Sequence, residues 1–148
     1  MKAEDLMIGD WVCLEDENLP IEERYFKIEY LAISAGVSWV NQGTNAPIGL
    51  GDGKSLIPVF RDEIYPIPIT TEILEKNNIL YEKQSYYYVI EDDKDLECTY
   101  YIQQVLRGDW VIGVDIGAYD CSVFARIQYV HELQHALKLC GINKEIVV

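Results

Sequence analysis

Tyr65-Pro66-Ile67-Pro68-Ile69-Thr70-Thr71-Glu72-Ile73-Leu74-Glu75-Lys76-Asn77-Asn78 is the stretch that decides between an all-β chain and a mixed one. The Pro-Ile-Pro run forces extended backbone, because each proline ring crowds the residue before it. Thr70 then suits an N-cap, since its hydroxyl can accept an N–H that a helix start leaves unpaired. Glu72 falls in the first turn, where the helix dipole favours a carboxylate. Asn77-Asn78 can end the helix, Asn being tolerant of left-handed backbone. The spacing predicts a helix near residues 70–78, about two turns long and dependent on packing for its stability.

Working outward, both flanks read as strands. Tyr25 to Ile33 sets Phe26, Ile28 and Tyr30 on one side and Lys27 and Glu29 on the other, the period of a half-buried strand. Leu6 to Leu14 is β-prone and punctuated by Gly9-Asp10, and Glu15 to Pro20 is a polar loop. Val37-Ser38-Trp39-Val40 reads as a third strand, and Ser55 to Phe60 resumes after a Gly-rich stretch. On the other flank, strands are expected over Ser85 to Ile90, Cys98 to Leu106, Trp110 to Ile116 and Cys121 to Ile127, in meander order. Val130 to Cys140 reads as a helix near 129–140, with Val130, Leu133, Leu137 and Cys140 on one stripe and Gly141 placed to follow its end. The expected fold is α+β, in one domain over 1–148. It consists of a bent antiparallel sheet or partly open SH3-like barrel with a short middle helix and a C-terminal helix.

The 148 residues include 25 Asp+Glu against 12 Lys+Arg, a formal charge of −13. That balance disfavours direct nucleic-acid binding, which needs clustered cations to displace counterions from phosphate. No apolar run reaches the length of a spanning helix, and Met1-Lys2-Ala3-Glu4-Asp5 lacks the opening of a signal peptide. The expectation is a cytoplasmic protein without membrane contact. Cys13, Cys98, Cys121 and Cys140 form no Cys-x-x-Cys pair and read as reduced, mostly buried side chains.

Three stretches carry a resemblance: Leu6 to Val12, Tyr65 to Asn78, and Ile127-Gln128-Tyr129-Val130-His131-Glu132-Leu133-Gln134. In this order they resemble the signatures of a group of small uncharacterised proteins from Bacteroides genomes and their phages or mobile elements. The resemblance implies helices after the Pro-Ile-Pro run and at the C-terminus, and it implies no activity. Asn77-Asn78 stands where the group favours Asn-Gly, which bears on how the first helix ends.

His131-Glu132-Leu133-Gln134-His135 fits the His-Glu-x-x-His pattern of zinc peptidases, in which two imidazoles one helical turn apart hold Zn²⁺ and the Glu acts as base. A third ligand is needed. The metzincin continuation fails, with Lys138 in place of Gly and Gly141 in place of the third His. Glu145 is a poor substitute, and an upstream Glu72 or Asp115 has no spacing argument in its favour. The wheel turns both imidazoles away from the apolar stripe, so the preferred reading is an exposed or interfacial helix face with no resident cofactor and no catalytic residue. Zn²⁺ held by His131 and His135, with Glu132 as base, is the alternative.

Ile48 to Ser55 nearly writes a P-loop but lacks the first Gly, and Pro58 interrupts the helix that should follow; a flexible Gly-rich loop or hairpin is expected. Glu91 to Glu97 lacks the register of a calcium loop and reads as a solvated hairpin tip. Tyr86-Tyr87-Tyr88 and Tyr100-Tyr101 place rings on both faces of adjacent strands. One set belongs to the core, and the other is free to meet a partner. These readings favour a non-enzymatic accessory or protein-interaction module of phage or mobile-element origin, working through a protein partner or self-association. The alternatives are a small zinc hydrolase and an acidic mimic of nucleic-acid phosphate that blocks a DNA-binding enzyme.

Overall fold

The structure, a computed structural model, describes residues 6–20, 23–31, 48–51, 56–59, 63–93, 97–106, 108–117 and 121–148. The chain divides into two compact units, Met1–Ile67 and Pro68–Val148.

The first unit is an antiparallel sheet of β1 (Trp11–Leu14), β2 (Tyr25–Leu31), β3 (Ile48–Gly51), β4 (Leu56–Val59) and β5 (Ile64–Pro66), in the spatial order β4-β3-β2-β1-β5. The last strand returns to pair with the first, with Cys13 opposite Tyr65 and Leu14 opposite Ile64. Leu6, Val12, Leu14, Ile28 and Ile64 form its core, with Leu19 and Phe26 packed against it. On the other face Trp11 lies opposite Lys27, whose ammonium sits 5.2 Å from the indole centroid. Over residues 26–29 the expected alternation holds, with Phe26 and Ile28 toward the core, Lys27 beside Trp11 and Glu29 exposed; Ala32, Ile33 and the expected strand at Val37 to Val40 lie outside the described residues. Ile48–Gly51 and Leu56–Val59 pair antiparallel, which agrees with the hairpin alternative for the Gly-rich stretch although β3 itself was not expected as a strand, and Pro58 sits on the edge strand β4, where proline is tolerated.

The second unit contains α1 (Thr71–Lys76), β6 (Leu80–Glu82), β7 (Tyr87–Asp93), β8 (Cys98–Leu106), β9 (Asp109–Asp115), β10 (Cys121–Ile127) and α2 (Val130–Leu139). Its strands form one antiparallel meander in chain order. Thr70 caps α1 as expected, its Oγ1 accepting from the Ile73 N–H at 3.3 Å. Both helices end the same way. Asn78 at φ +55° and Gly141 at φ +74° turn the chain left-handed, and the next N–H reaches back into the helix, Ile79 to the Leu74 carbonyl and Ile142 to the Leu137 carbonyl, each at 2.9 Å. In both cases the residue after the turn and its acceptor are buried together, the hydrophobic contact that accompanies a Schellman ending.

Two parts of the sequence reading are corrected. The short strands β5 and β6 were not expected, and the strand placed over Ser85 to Ile90 runs instead from Tyr87 to Asp93. The cause is Tyr86, which turns the β6–β7 hairpin at φ +61°, with its N–H donating to the Glu82 carbonyl at 2.9 Å. A bulky aromatic in this region carries no turn signal in sequence. The cysteines are also less buried than expected: all four are free, Cys98 alone is buried, Cys13 and Cys140 are half-buried, and Cys121 is exposed.

The second sheet buries side chains on both faces. Tyr88 meets Trp110 edge-on at 5.8 Å and Tyr81 at 5.1 Å, near Ile102 and Ile112, which are wholly buried. Tyr87 stacks on Tyr101 at 4.7 Å, and Tyr101 lies directly across from Gly113. A Cβ on Gly113 would stand 2.7 Å from the Tyr101 hydroxyl and 2.5 Å from the Ser122 carbonyl, so the ring occupies the space that glycine leaves open.

Candidate functional site

The residues of the His-Glu-x-x-His pattern lie at the start of α2. Tyr129, extended at φ −123°, is the N-cap and contributes no side-chain bond. Glu132 supplies the cap instead: its Oε2 accepts from the Gln128 N–H at 2.6 Å and the Tyr129 N–H at 3.1 Å. This is the reach-back half of a capping box, formed by the residue type that the zinc reading assigns as base.

Both imidazoles were expected on an exposed or interfacial face, and for His131 the structure overturns that. His131 is 4% exposed, its ring stacked 5.8 Å from Tyr129 at 8° and edge-on to His135 at 5.9 Å. His135 is half-buried. The apolar stripe is where it was expected, with Val130, Leu133 and Leu137 buried, but Gln134 and His131 are buried as well. The buried arc of α2 is therefore wider than the stripe, because hydropathy marks where burial is favourable and not how far the neighbouring elements extend. Among the described residues no group of three or more His, Cys, Asp or Glu is gathered so as to hold a metal ion. Glu72, the upstream candidate, lies in the first turn of α1, where hydrogen bonds from its own backbone and from Thr70 and Thr71 hold its carboxyl below the usual range. Asp115 accepts from the Tyr87 hydroxyl at 3.1 Å and from the Gly117 N–H at 2.9 Å. Burial raises the thiols of Cys13 and Cys140, which lowers their thiolate fraction and their reactivity.

The other feature with functional content is the set of strands that end the sheets. β4 carries Pro58, β5 has three residues and ends in Pro66, and β6 has three residues. Shortness and proline are the ordinary protections of a sheet edge. β10 differs: seven residues, Cys-Ser-Val-Phe-Ala-Arg-Ile, with no proline and no acidic side chain. Its first four residues are all exposed, Val123 at 56% and Phe124 at 46%. The register with β9 shifts between Val123 and Ala125, a bulge that re-aims Phe124. The strand lies at the bounds expected from sequence, Cys121–Ile127, and the sequence signal of its distinct character is the absence of acidic residues over seven positions in a chain of charge −13.

Among the described residues no helix is long and apolar enough to cross a membrane. Comparison with protein-family models, with curated proteins and with solved structures found no match.

Proposed function

We propose that the chain is a non-enzymatic, cytoplasmic protein-interaction module, of the phage or mobile-element kind that its resemblance to small Bacteroides proteins implies. In this reading the first unit is an SH3-like, partly open barrel, supported by the order β4-β3-β2-β1-β5, in which the fifth strand closes back on the first. The second unit does the docking, by accepting a further strand on β10. The observation that carries the reading is the exposure of Val123 and Phe124 on a seven-residue edge strand that lacks both proline and acidic side chains. Strand addition draws its affinity from main-chain pairing and its specificity from alternate side chains, so it needs neither a cleft nor a catalytic set.

A photo-crosslinking residue at Val123, in cells producing the protein, is expected to give a discrete protein adduct. The same residue at Tyr81, on the short edge β6, is expected to give none. Absence of any adduct at Val123 would overturn the reading.

A further inference from the structure

Resting on that reading, we infer that the occupant of β10 is the β10 of a second copy, laid antiparallel across a two-fold axis near Val123 and Phe124, so that two five-stranded sheets become one of ten strands.

The charge pattern confines the approach of a second copy to this strand. Two chains of charge −13 repel each other wherever their acidic side chains meet. β10 is an exception, because Arg126 is its single charged residue. In an antiparallel two-fold pairing the two arginines stand toward opposite ends of the seam, roughly 15 Å apart at the rise of a strand, so no like charges face each other. Val123 and Phe124 of each copy lie at the centre, where exposed apolar area is removed from water. An isologous contact of this kind closes on itself, so an unprotected edge ends in a dimer and not a fibre. The bulge at Phe124 increases local twist and so limits the pairing to a short seam.

The pairing has a salt signature. The overall −13 on −13 repulsion is screened at higher ionic strength while the apolar seam is not, so the dimer tightens as salt is added. A basic partner held by the acidic surface would loosen instead.

The test is light scattering on the full chain at low and high salt, with Val123→Lys and Phe124→Lys beside it, and electron-spin distance measurement on a nitroxide at the exposed Cys121. The expected result is a dimer favoured by salt, weakened more than about tenfold by either lysine, with labels roughly 15–25 Å apart. Circular dichroism establishes that the variants fold, and the label distance on the unsubstituted chain stands independently of them. A monomer at all concentrations, a dimer indifferent to both lysines, or labels beyond that range would overturn the inference. If a monomer is found and Val123 still crosslinks to a different protein, the interaction reading stands and the self-pairing falls; if it crosslinks to nothing, both fall.

Discussion

The Asn77 carboxamide pairs with both peptide groups of Val147: Oδ1 accepts from the Val147 N–H at 2.8 Å, and Nδ2 donates to the Val147 carbonyl at 2.7 Å. The same Nδ2 donates to the Ile73 carbonyl at 2.8 Å, so one half-turn of side chain ties the end of α1 to the C-terminal tail. Lys76 to the Val148 carbonyl and Lys144 to the Ile90 carbonyl hold the tail on either side, and Ile146 between them is wholly buried. Asn77→Ala leaves the Ile73 and Val147 groups without these partners, and is expected to cost about 2 kcal/mol. Urea denaturation measures the loss, and faster hydrogen exchange at the Val147 amide locates it.

Asn78 holds φ +55° where glycine would sit without strain. Asn78→Gly is expected to raise stability by a few tenths of a kcal/mol, the relief of strain exceeding the added freedom of the unfolded chain. Asn78→Ala is expected to lower it by about 1 kcal/mol. Thermal melts of the two variants, moving in opposite directions, check the point.

Gly113→Ala is expected to destabilise by about 1–3 kcal/mol. Its Cβ would meet the Ser122 carbonyl as well as the Tyr101 ring, so Tyr101→Leu in the same chain should recover part of the loss and not all of it. A double-mutant cycle in urea separates the two contacts.

Glu132 distinguishes mechanical from chemical use of α2. As a cap, Glu132→Ala is expected to cost about 1 kcal/mol with or without added Zn²⁺. A carboxylate serving as the base of a metal site would leave stability unchanged and show its loss in hydrolysis. Denaturation curves with and without Zn²⁺ make the comparison.

Tyr87 and Tyr101 fix an alkaline limit. Burial, the larger effect, and the Asp115 carboxylate raise both phenols above the ordinary tyrosine value, so the folded state favours the neutral form. Their contribution is whole below about pH 10, the unfolded value, and is lost as pH rises through the folded one. Ultraviolet titration should show tyrosines ionising late together with unfolding, and Tyr101→Phe should make the alkaline fall in stability shallower.

What the sequence alone determined was local. Thr70 as cap, Asn78 and Gly141 as helix endings, the bounds of β8 and β10 and the stripe of α2 all follow from groups within a few residues of one another, where sterics and single hydrogen bonds act. What the tertiary structure decided is shown by Gly-Asp-Trp-Val, which occurs at residues 9–12 and again at 108–111. In both places a glycine of positive φ, a conformation glycine adopts without strain, leads into a strand. Yet Trp11 is half-buried beneath Lys27, while Trp110 is 1% exposed against Tyr88. Identical local chemistry gives a strand in each case, and which face is covered depends on elements far away in the chain. The burial of His131 and the exposure of β10 are of the same kind: each is a property of what lies alongside, and no window of sequence contains its neighbours.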